Sequence, residues 1–165
     1  MGFSMVLDTS VDYPGKVNLS DVIDKWIEKV DLITSVNIRS GFKFTVDGTE
    51  YKFSSNNSDQ QNFSHGVASA LLAAQNNAAE SFHIDWRGHI GDDATTLHLN
   101  YGQFLALAEA MGAHKQACLS AGWVIKESLK ACTSRAQIDE VVANNRLELR
   151  HRDAVIAKKA LDAAE

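Results

Sequence analysis

Hydrophobic residues recur every three or four positions in the segment that begins at Leu19. The members of this stripe are Val22, Ile23, Trp26, Ile27, Val30, Ile33 and Val36. Charged residues occupy most of the intervening positions, so the segment has one apolar and one polar face at the helical period. The pattern predicts an amphipathic helix that starts at Leu19 and ends by Gly41.

A short hairpin is predicted directly after this helix. Two alternating runs, Phe42–Val46 and Thr49–Phe53, flank the dipeptide Asp47-Gly48. An Asp-Gly pair in this position is typical of a two-residue hairpin turn, because both central residues of that turn need positive φ. A two-stranded hairpin alone is marginal in water, so we expect its aromatic face to pack on a helix.

A second helix and a second hairpin follow. Residues 56–59, Asn-Asn-Ser-Asp, supply candidate N-caps for an alanine-rich helix that runs to about Ala79. Residues 81–87 alternate between apolar and polar side chains, residues 88–93 have the composition of a turn, and residues 95–99 alternate again. This order predicts a hairpin whose turn occupies residues 88–93.

The longest helical pattern starts after Asn100, another candidate N-cap. Its apolar stripe consists of Phe104, Leu107, Ala108, Met111, His114, Cys118, Ala121, Ile125 and Leu129. The stripe breaks near Cys132, and Ser134 and Gln137 then have the spacing of a capping box. A further helix is therefore predicted from residue 135.

The C-terminal segment, residues 146–165, is rich in Ala, Leu, Arg, Lys and Glu and carries only a sparse apolar stripe. The stripe consists of Leu147, Val155, Ile156 and Leu161. A helix with so few apolar positions is marginal alone. We therefore expect it to dock either on this domain or on another chain.

The predicted organisation is an N-terminal arm (residues 1–18), a single α+β domain (residues 19–144) and a helical C-terminal extension (residues 145–165). The predicted fold is α+β and mostly helical, with two β-hairpins packed against about four to five helices. The predicted core consists of Trp26, Phe44, Phe53, Leu71, Trp86, Phe104, Leu107 and Met111.

The composition indicates one globular domain that folds in a cytoplasm. Of the 165 residues, 45% are hydrophobic and 22% are charged. No run approaches the roughly 18 apolar residues that cross a bilayer, and the N-terminus lacks the pattern of a secretory signal, so we expect no membrane insertion. Sixteen Lys and Arg against 21 Asp and Glu give a net charge of −5, which argues against nucleic acid as a partner.

Histidines are the main candidates for a metal site or an acid-base group. His83, Asp85 and His98 share the polar face of the second hairpin, and zinc accepts two imidazoles with a carboxylate. No closely spaced ligand pair accompanies them, so we favour a solvated face and expect no metal and no cofactor. His114 lies on an apolar stripe, where we expect a core or interface role.

Catalytic motifs are absent from the sequence, which contains no phosphate-binding loop, nucleophile elbow or metalloprotease helix. The tryptophans Trp26, Trp86 and Trp123 are interpreted as packing anchors, because they have apolar neighbours or lie on helical stripes. These observations predict a protein that is not an enzyme.

One segment has a familiar sequence. Residues 104–118 read FLALAEAMGAHKQAC, in which an alanine-flanked histidine precedes Gln-Ala-Cys. Together with the order of the elements around it, this segment resembles the domain of unknown function family DUF4376 of tailed bacteriophages. The resemblance covers about residues 25–142 and is strongest over residues 104–118.

The resemblance implies a structural or assembly role, because proteins with this domain are similar to components encoded near phage tail-fibre and baseplate genes. We expect a protein of the virion tail, synthesised in the host cytoplasm, whose partners are other phage tail proteins. Tail fibres are commonly trimeric, which implies a homo-oligomer with a trimer favoured. The predicted interface residues are Leu147, Val155, Ile156, Leu161, His114 and Cys118.

Two alternatives remain open from the sequence. One is a tail-fibre assembly chaperone that leaves before the particle matures. The other is a small metal-dependent enzyme that uses His83, Asp85 and His98.

Overall fold

The computed structural model describes residues 18–164 of the chain. Within these residues the elements are α1 (Leu19–Arg39), β1 (Phe42–Val46), β2 (Thr49–Phe53), α2 (Asn57–Gln75), a 3-10 helix (Ala79–Ser81), β3 (His83–Ile90), β4 (Asp93–Asn100), α3 (Tyr101–Lys130), α4 (Arg135–Asn144) and α5 (Leu147–Ala164). The predicted fold class, α+β and mostly helical with two hairpins, is confirmed. The predicted arm lies outside the described residues except for Asn18.

The first helix begins and ends where the sequence predicts. The Asn18 side chain caps α1 by accepting a hydrogen bond from the Ser20 amide at 3.3 Å. After α1 the chain turns at Gly41, whose φ is +89°. A Cβ on Gly41 would clash with the carbonyl oxygen of Phe53, so both the backbone angle and the close approach of β2 require glycine here.

The two hairpins join into one antiparallel sheet with the strand order β1-β2-β3-β4. In the first hairpin, Asp47 and Gly48 have φ values of 49° and 80°, as the predicted two-residue turn requires. The hairpins meet where Lys52 of β2 pairs with His89 of β3. The sheet therefore presents one continuous face to the helices.

The predicted turn of the second hairpin, residues 88–93, is wrong. β3 continues to Ile90 and β4 starts at Asp93, so only Gly91 and Asp92 connect the strands. Gly88 lies inside β3, where a Cβ would come within 3.1 Å of the Tyr51 side chain. This glycine accommodates a neighbouring aromatic ring across the sheet and does not mark a change of chain direction.

Side-chain caps start the next three long helices at the predicted positions. The N-cap residues of α2, α3 and α4 are Asn56, Asn100 and Ser134. At α3 the Gln103 side chain completes a capping box, with hydrogen bonds of 2.9 and 3.0 Å. At α4 the Gln137 side chain instead accepts a hydrogen bond from the Thr133 amide, one residue before the N-cap. The start of α4 is confirmed. The second hydrogen bond of the predicted capping box comes from the amide of Thr133 and not from that of the N-cap residue Ser134.

Buried hydrophobic residues form two clusters, and α3 contributes to both. The sheet cluster contains Phe42, Val46, Phe53, Phe63, Ala70, Leu99, Phe104 and Leu107. The helix cluster contains Val22, Trp26, Val30, Ile33, Val36, Ile125, Leu129, Cys132, Ile138, Val142, Leu147 and Ala154. The N-terminal half of α3 packs in the sheet cluster and its C-terminal half packs in the helix cluster. The long helix therefore ties the sheet to the helical layer.

Most of the predicted core is confirmed. Trp26, Phe53, Phe104 and Leu107 are buried, and Phe44, Trp86 and Met111 are partly buried against the sheet cluster. Leu71 is 48% exposed, so its assignment to the core is wrong. The buried face of α2 consists of Phe63, Gly66 and Ala70. Leu71, one position after Ala70, is rotated away from that face by about 100°.

The C-terminal helix docks on this domain. Leu147 and Ala154 of α5 lie in the helix cluster with residues of α1. Near the other end of α5, Asp162 forms a 2.9 Å salt bridge with Arg39 in the last turn of α1. The extension predicted from residue 145 is thus part of the packed structure of the chain.

Candidate functional site

The predicted interface residues of α5 separate into inward and outward sets. Leu147 is fully buried in the helix cluster, and Leu161 is partly buried against the same cluster. Val155 and Ile156 face outward and are 37% and 64% exposed. Leu147 is therefore unavailable to another chain, because its side chain is already covered by this one. Of the predicted interface residues of α5, Val155 and Ile156 are the two that remain exposed.

His114 joins α3 to the end of α1. Its Nε2 atom lies 3.1 Å from the carbonyl oxygen of Asn37 and 3.2 Å from that of Ile38, in the last turn of α1. Carbonyl oxygens only accept, so Nε2 carries the proton in these contacts. The imidazole also stacks on the Phe42 ring at 5.7 Å between centroids. These contacts give His114 a structural role within the chain.

Cys118 lies one turn after His114, with its Sγ atom 4.0 Å from the ring nitrogens. Burial raises the pKa of the Cys118 thiol, so the protonated form dominates at neutral pH. A thiol held in this form is a poor nucleophile.

Cys118 of α3 and Leu147 of α5, two of the predicted interface residues, line the same small cavity between α1, α3 and α5. This cavity has a volume of about 170 Å³, and its walls are mostly apolar. Arg150 of α5 and Asn37 of α1 also line it. The structure thus brings two predicted interface residues together, but at a contact inside the chain.

The histidines of the second hairpin share a face, as predicted. The Nδ1 atom of His98 lies 2.7 Å from a carboxylate oxygen of Asp85, and the His83 ring stacks on the His98 ring at 4.6 Å with an interplanar angle of 3°. Because the two imidazole rings lie in parallel planes, their nitrogen lone pairs do not point toward a common position, as the binding of one metal ion requires. Among residues 18–164, no group of three or more His, Cys, Asp or Glu side chains has an arrangement that could hold a metal.

A second cavity, which the sequence does not predict, opens on the other side of the contact between α1 and α3. Its volume is about 260 Å³. We call it the basic cavity, and its lining includes Asp31, Arg39, Gln60, Lys115, Trp123 and Lys126. Of the twelve residues that line it, three are cations and one is an acid, in a chain whose net charge is −5. The cavity is therefore a local concentration of positive charge.

Hydrogen bonds hold the two lysines of the basic cavity against its walls. Lys115 Nζ donates to the side-chain oxygen of Gln60 at 2.8 Å, and Lys126 Nζ pairs with Asp31 at 2.7 Å. Trp123 is 49% exposed beside them, so its interpretation as a packing anchor is wrong. That interpretation is confirmed for Trp26, which is buried.

A sequence signal for this cavity exists, although it is weak. Lys115, Leu119, Gly122 and Lys126 are spaced at i, i+4, i+7 and i+11 along α3. This spacing places them on one face of a helix. On sequence alone the two lysines are indistinguishable from solvated residues, because their partners Gln60 and Asp31 belong to other helices.

No helix within residues 18–164 is long and apolar enough to cross a membrane. A search of curated proteins and a search of solved structures gave no significant match to the chain. The family model described as domain of unknown function (DUF4376) matches residues 25–145, which extends from the second turn of α1 to the end of α4. This match covers well over half of the chain, and the protein therefore belongs to the DUF4376 family.

Proposed function

We propose that this protein is a non-enzymatic structural component of a bacteriophage tail, acting as part of, or as an adaptor to, a tail fibre, spike or baseplate. The chain belongs to the DUF4376 family, and the proposal takes its tail role from the sequence resemblance described above, which implies an assembly function. It places the protein in the virion tail, with other tail proteins as its partners.

The observation that carries the proposal is the exposure of large apolar side chains on the packed helices. Trp123 on α3 is 49% exposed, and Ile156 on α5 is 64% exposed. These helices are held in place by buried contacts on their opposite faces. Aromatic and large aliphatic residues presented on a rigid element are typical anchors of protein-protein interfaces.

Self-association is part of the proposal, with a trimer favoured. Val155 and Ile156 lie on the outward side of α5, whose inward side is occupied by α1. In a trimer with α5 along its three-fold axis, the outward residues of all three copies of α5 would meet at that axis. The outward side of α5 is the surface that we assign to this contact.

Mass spectrometry of purified particles of the phage that encodes the chain tests the proposal. We expect the protein in the particles at a fixed ratio to a tail protein, and we expect it to remain after washing at high ionic strength. Recovery only in infected-cell extracts, bound to a tail protein, would instead match an assembly chaperone. Absence from both the particles and such complexes contradicts an assembly role in the tail.

A further inference from the structure

The basic cavity has a geometry that selects for a particular kind of partner. Lys115 and Trp123 both line it from α3, eight residues apart. At a helical rise of 1.5 Å per residue, their backbones are about 12 Å apart along the helix. The wall between them contains Leu119 and Gly122, so a positive end and an aromatic end are separated by an apolar surface.

The charges in the basic cavity are unevenly compensated. Lys126 is paired with Asp31, and Arg39 is paired with Asp162 of α5. The hydrogen-bond partner of Lys115 is the side-chain oxygen of Gln60, which carries no charge. Lys115 is exposed at the edge of the cavity, so its ammonium group is accessible to an anionic group of a partner.

We propose that the basic cavity binds an acidic-apolar peptide segment of a partner chain, with a carboxylate on Lys115 and a large apolar side chain against Trp123. This inference rests on the proposed assembly function and adds the chemistry of the partner to it. An extended peptide advances about 3.3 Å per residue, so the acid and the apolar residue are three or four positions apart. A short acidic segment can bind to the local positive charge of the cavity even though the chain as a whole is acidic.

The chain offers a matched control for each anchor. Lys130 lies on the same helix as Lys115, pairs with Glu127 and is not part of the cavity. Val124 is the exposed neighbour of Trp123 and also lies outside the cavity lining. Comparison of Lys115→Gln with Lys130→Gln, and of Trp123→Ala with Val124→Ala, separates the cavity from the general surface of α3.

Selection from an mRNA-displayed library of random peptides on the immobilised full-length protein tests the inference. We expect the wild-type chain to enrich peptides with Asp or Glu three or four positions from a large apolar residue. Lys115→Gln should reduce recovery of the acidic peptides about two- to fivefold, as loss of an exposed charge contact does, and Lys130→Gln should leave it unchanged. Trp123→Ala should remove the preference for the apolar position, and Val124→Ala should retain it.

Two results would overturn the inference. One is that the wild-type chain enriches no acidic-apolar peptide. The other is that each cavity variant behaves like its control. All four substituted side chains are at the surface, so melting curves that match the wild type establish that a lost peptide reflects the cavity. If phage particles contain the protein but the peptide selection fails, only this inference is wrong. If the selection succeeds but the protein is absent from particles and from complexes with tail proteins, the proposed tail function is wrong.

Discussion

Gly122 of α3 lies directly against Thr34 of α1. A Cβ on Gly122 would come within 2.5 Å of Thr34 Oγ1. Both residues line the two cavities on either side of this contact, the small apolar cavity toward α5 and the basic cavity toward α2. The absence of a side chain at one position thus sets the distance between the helices that form both cavities.

Gly122→Ala should destabilise the protein by about 1–3 kcal/mol, because the added methyl group forces α1 and α3 apart in a packed region. Chemical denaturation monitored by circular dichroism measures the loss. Combining it with Thr34→Ala should recover part of the loss, since the obstructing hydroxyl is then gone.

Gly112 provides the control on the same helix, because no atom lies within 4 Å of a Cβ at that position. Gly112→Ala should stabilise the protein by about 0.5–1 kcal/mol through its better helix propensity. Equal effects of the two alanine substitutions would show that the Gly122–Thr34 contact does not limit the helix spacing.

The difference in burial between Leu107 and Leu71 predicts a large loss of stability on alanine substitution at the first and a small change at the second. Leu107 is fully buried in the sheet cluster, so Leu107→Ala should reduce the free energy of unfolding by about 2–5 kcal/mol. Leu71 is 48% exposed, so Leu71→Ala should change it by less than about 0.5 kcal/mol. A large loss from Leu71→Ala in denaturant titrations would place the buried face of α2 elsewhere.

Features that depend on neighbours in the chain were predictable from the sequence. The N-cap at Asn100 and the turn at Asp47-Gly48 each involve residues a few positions apart. Their geometry follows from local hydrogen bonding and from allowed φ values. The ends of α1, the first hairpin and the starts of α3 and α4 were therefore correct.

Features that depend on distant segments were not predictable. From the sequence, Gly88 is interpreted as a turn residue. Its role depends on Tyr51, which belongs to another strand and lies beside it in the sheet. The side of α5 that is buried depends on α1, which the sparse stripe containing Leu147 and Ile156 does not specify. The basic cavity was missed for the same reason, since Lys115 gains its significance only when α2 lies next to α3.

The end of α5 should respond to acid through Asp162. Hydrogen bonding to Lys158 first, and then to Arg39, lowers the pKa of the Asp162 carboxyl below its ordinary value. A lowered folded-state pKa means that this contribution to stability is fully present above the ordinary pKa of about 3.9 and is lost as pH falls through the lower folded value. We expect the last turn of α5 to loosen only in that acidic range.

Carbon-detected NMR titration of the carboxyl groups measures this pKa directly. Lys158→Ala should raise the Asp162 midpoint toward the ordinary value, and Lys159→Ala, a change at the adjacent position, should leave it in place. A wild-type midpoint at or above that of an unstructured aspartate would show that the ion pairs of Asp162 do not persist in solution.

Cys118 should react slowly with alkylating reagents. Burial raises its pKa, so its thiolate is scarcer at neutral pH than that of a free cysteine. Iodoacetamide labelling followed by peptide mass spectrometry should give a rate at Cys118 that rises with pH through a midpoint above that of a synthetic peptide covering residues 114–122. A lower midpoint than in the peptide would indicate an activated thiol and would support a nucleophilic role for Cys118.

The oligomeric state is best tested with point substitutions on α5. Leu147 and Ala154 belong to the helix cluster, so truncation after Asn145 would expose buried residues and unfold the region instead of only removing an interface. Ile156→Glu changes an outward side chain and keeps a good helix former. Light scattering should give a trimer for the wild type and a smaller species for Ile156→Glu, with matching circular dichroism.

Leu72→Glu provides the control for the oligomer test, because Leu72 is exposed on α2, away from the proposed contact. It should leave the trimer intact, since the same charge is introduced where no partner copy is expected. If Leu72→Glu and Ile156→Glu dissociate the protein equally, the contact is not specific to α5. If the wild type is monomeric at every concentration, residues Val155 and Ile156 do not support self-association, and their exposed surface must serve a different tail protein or none.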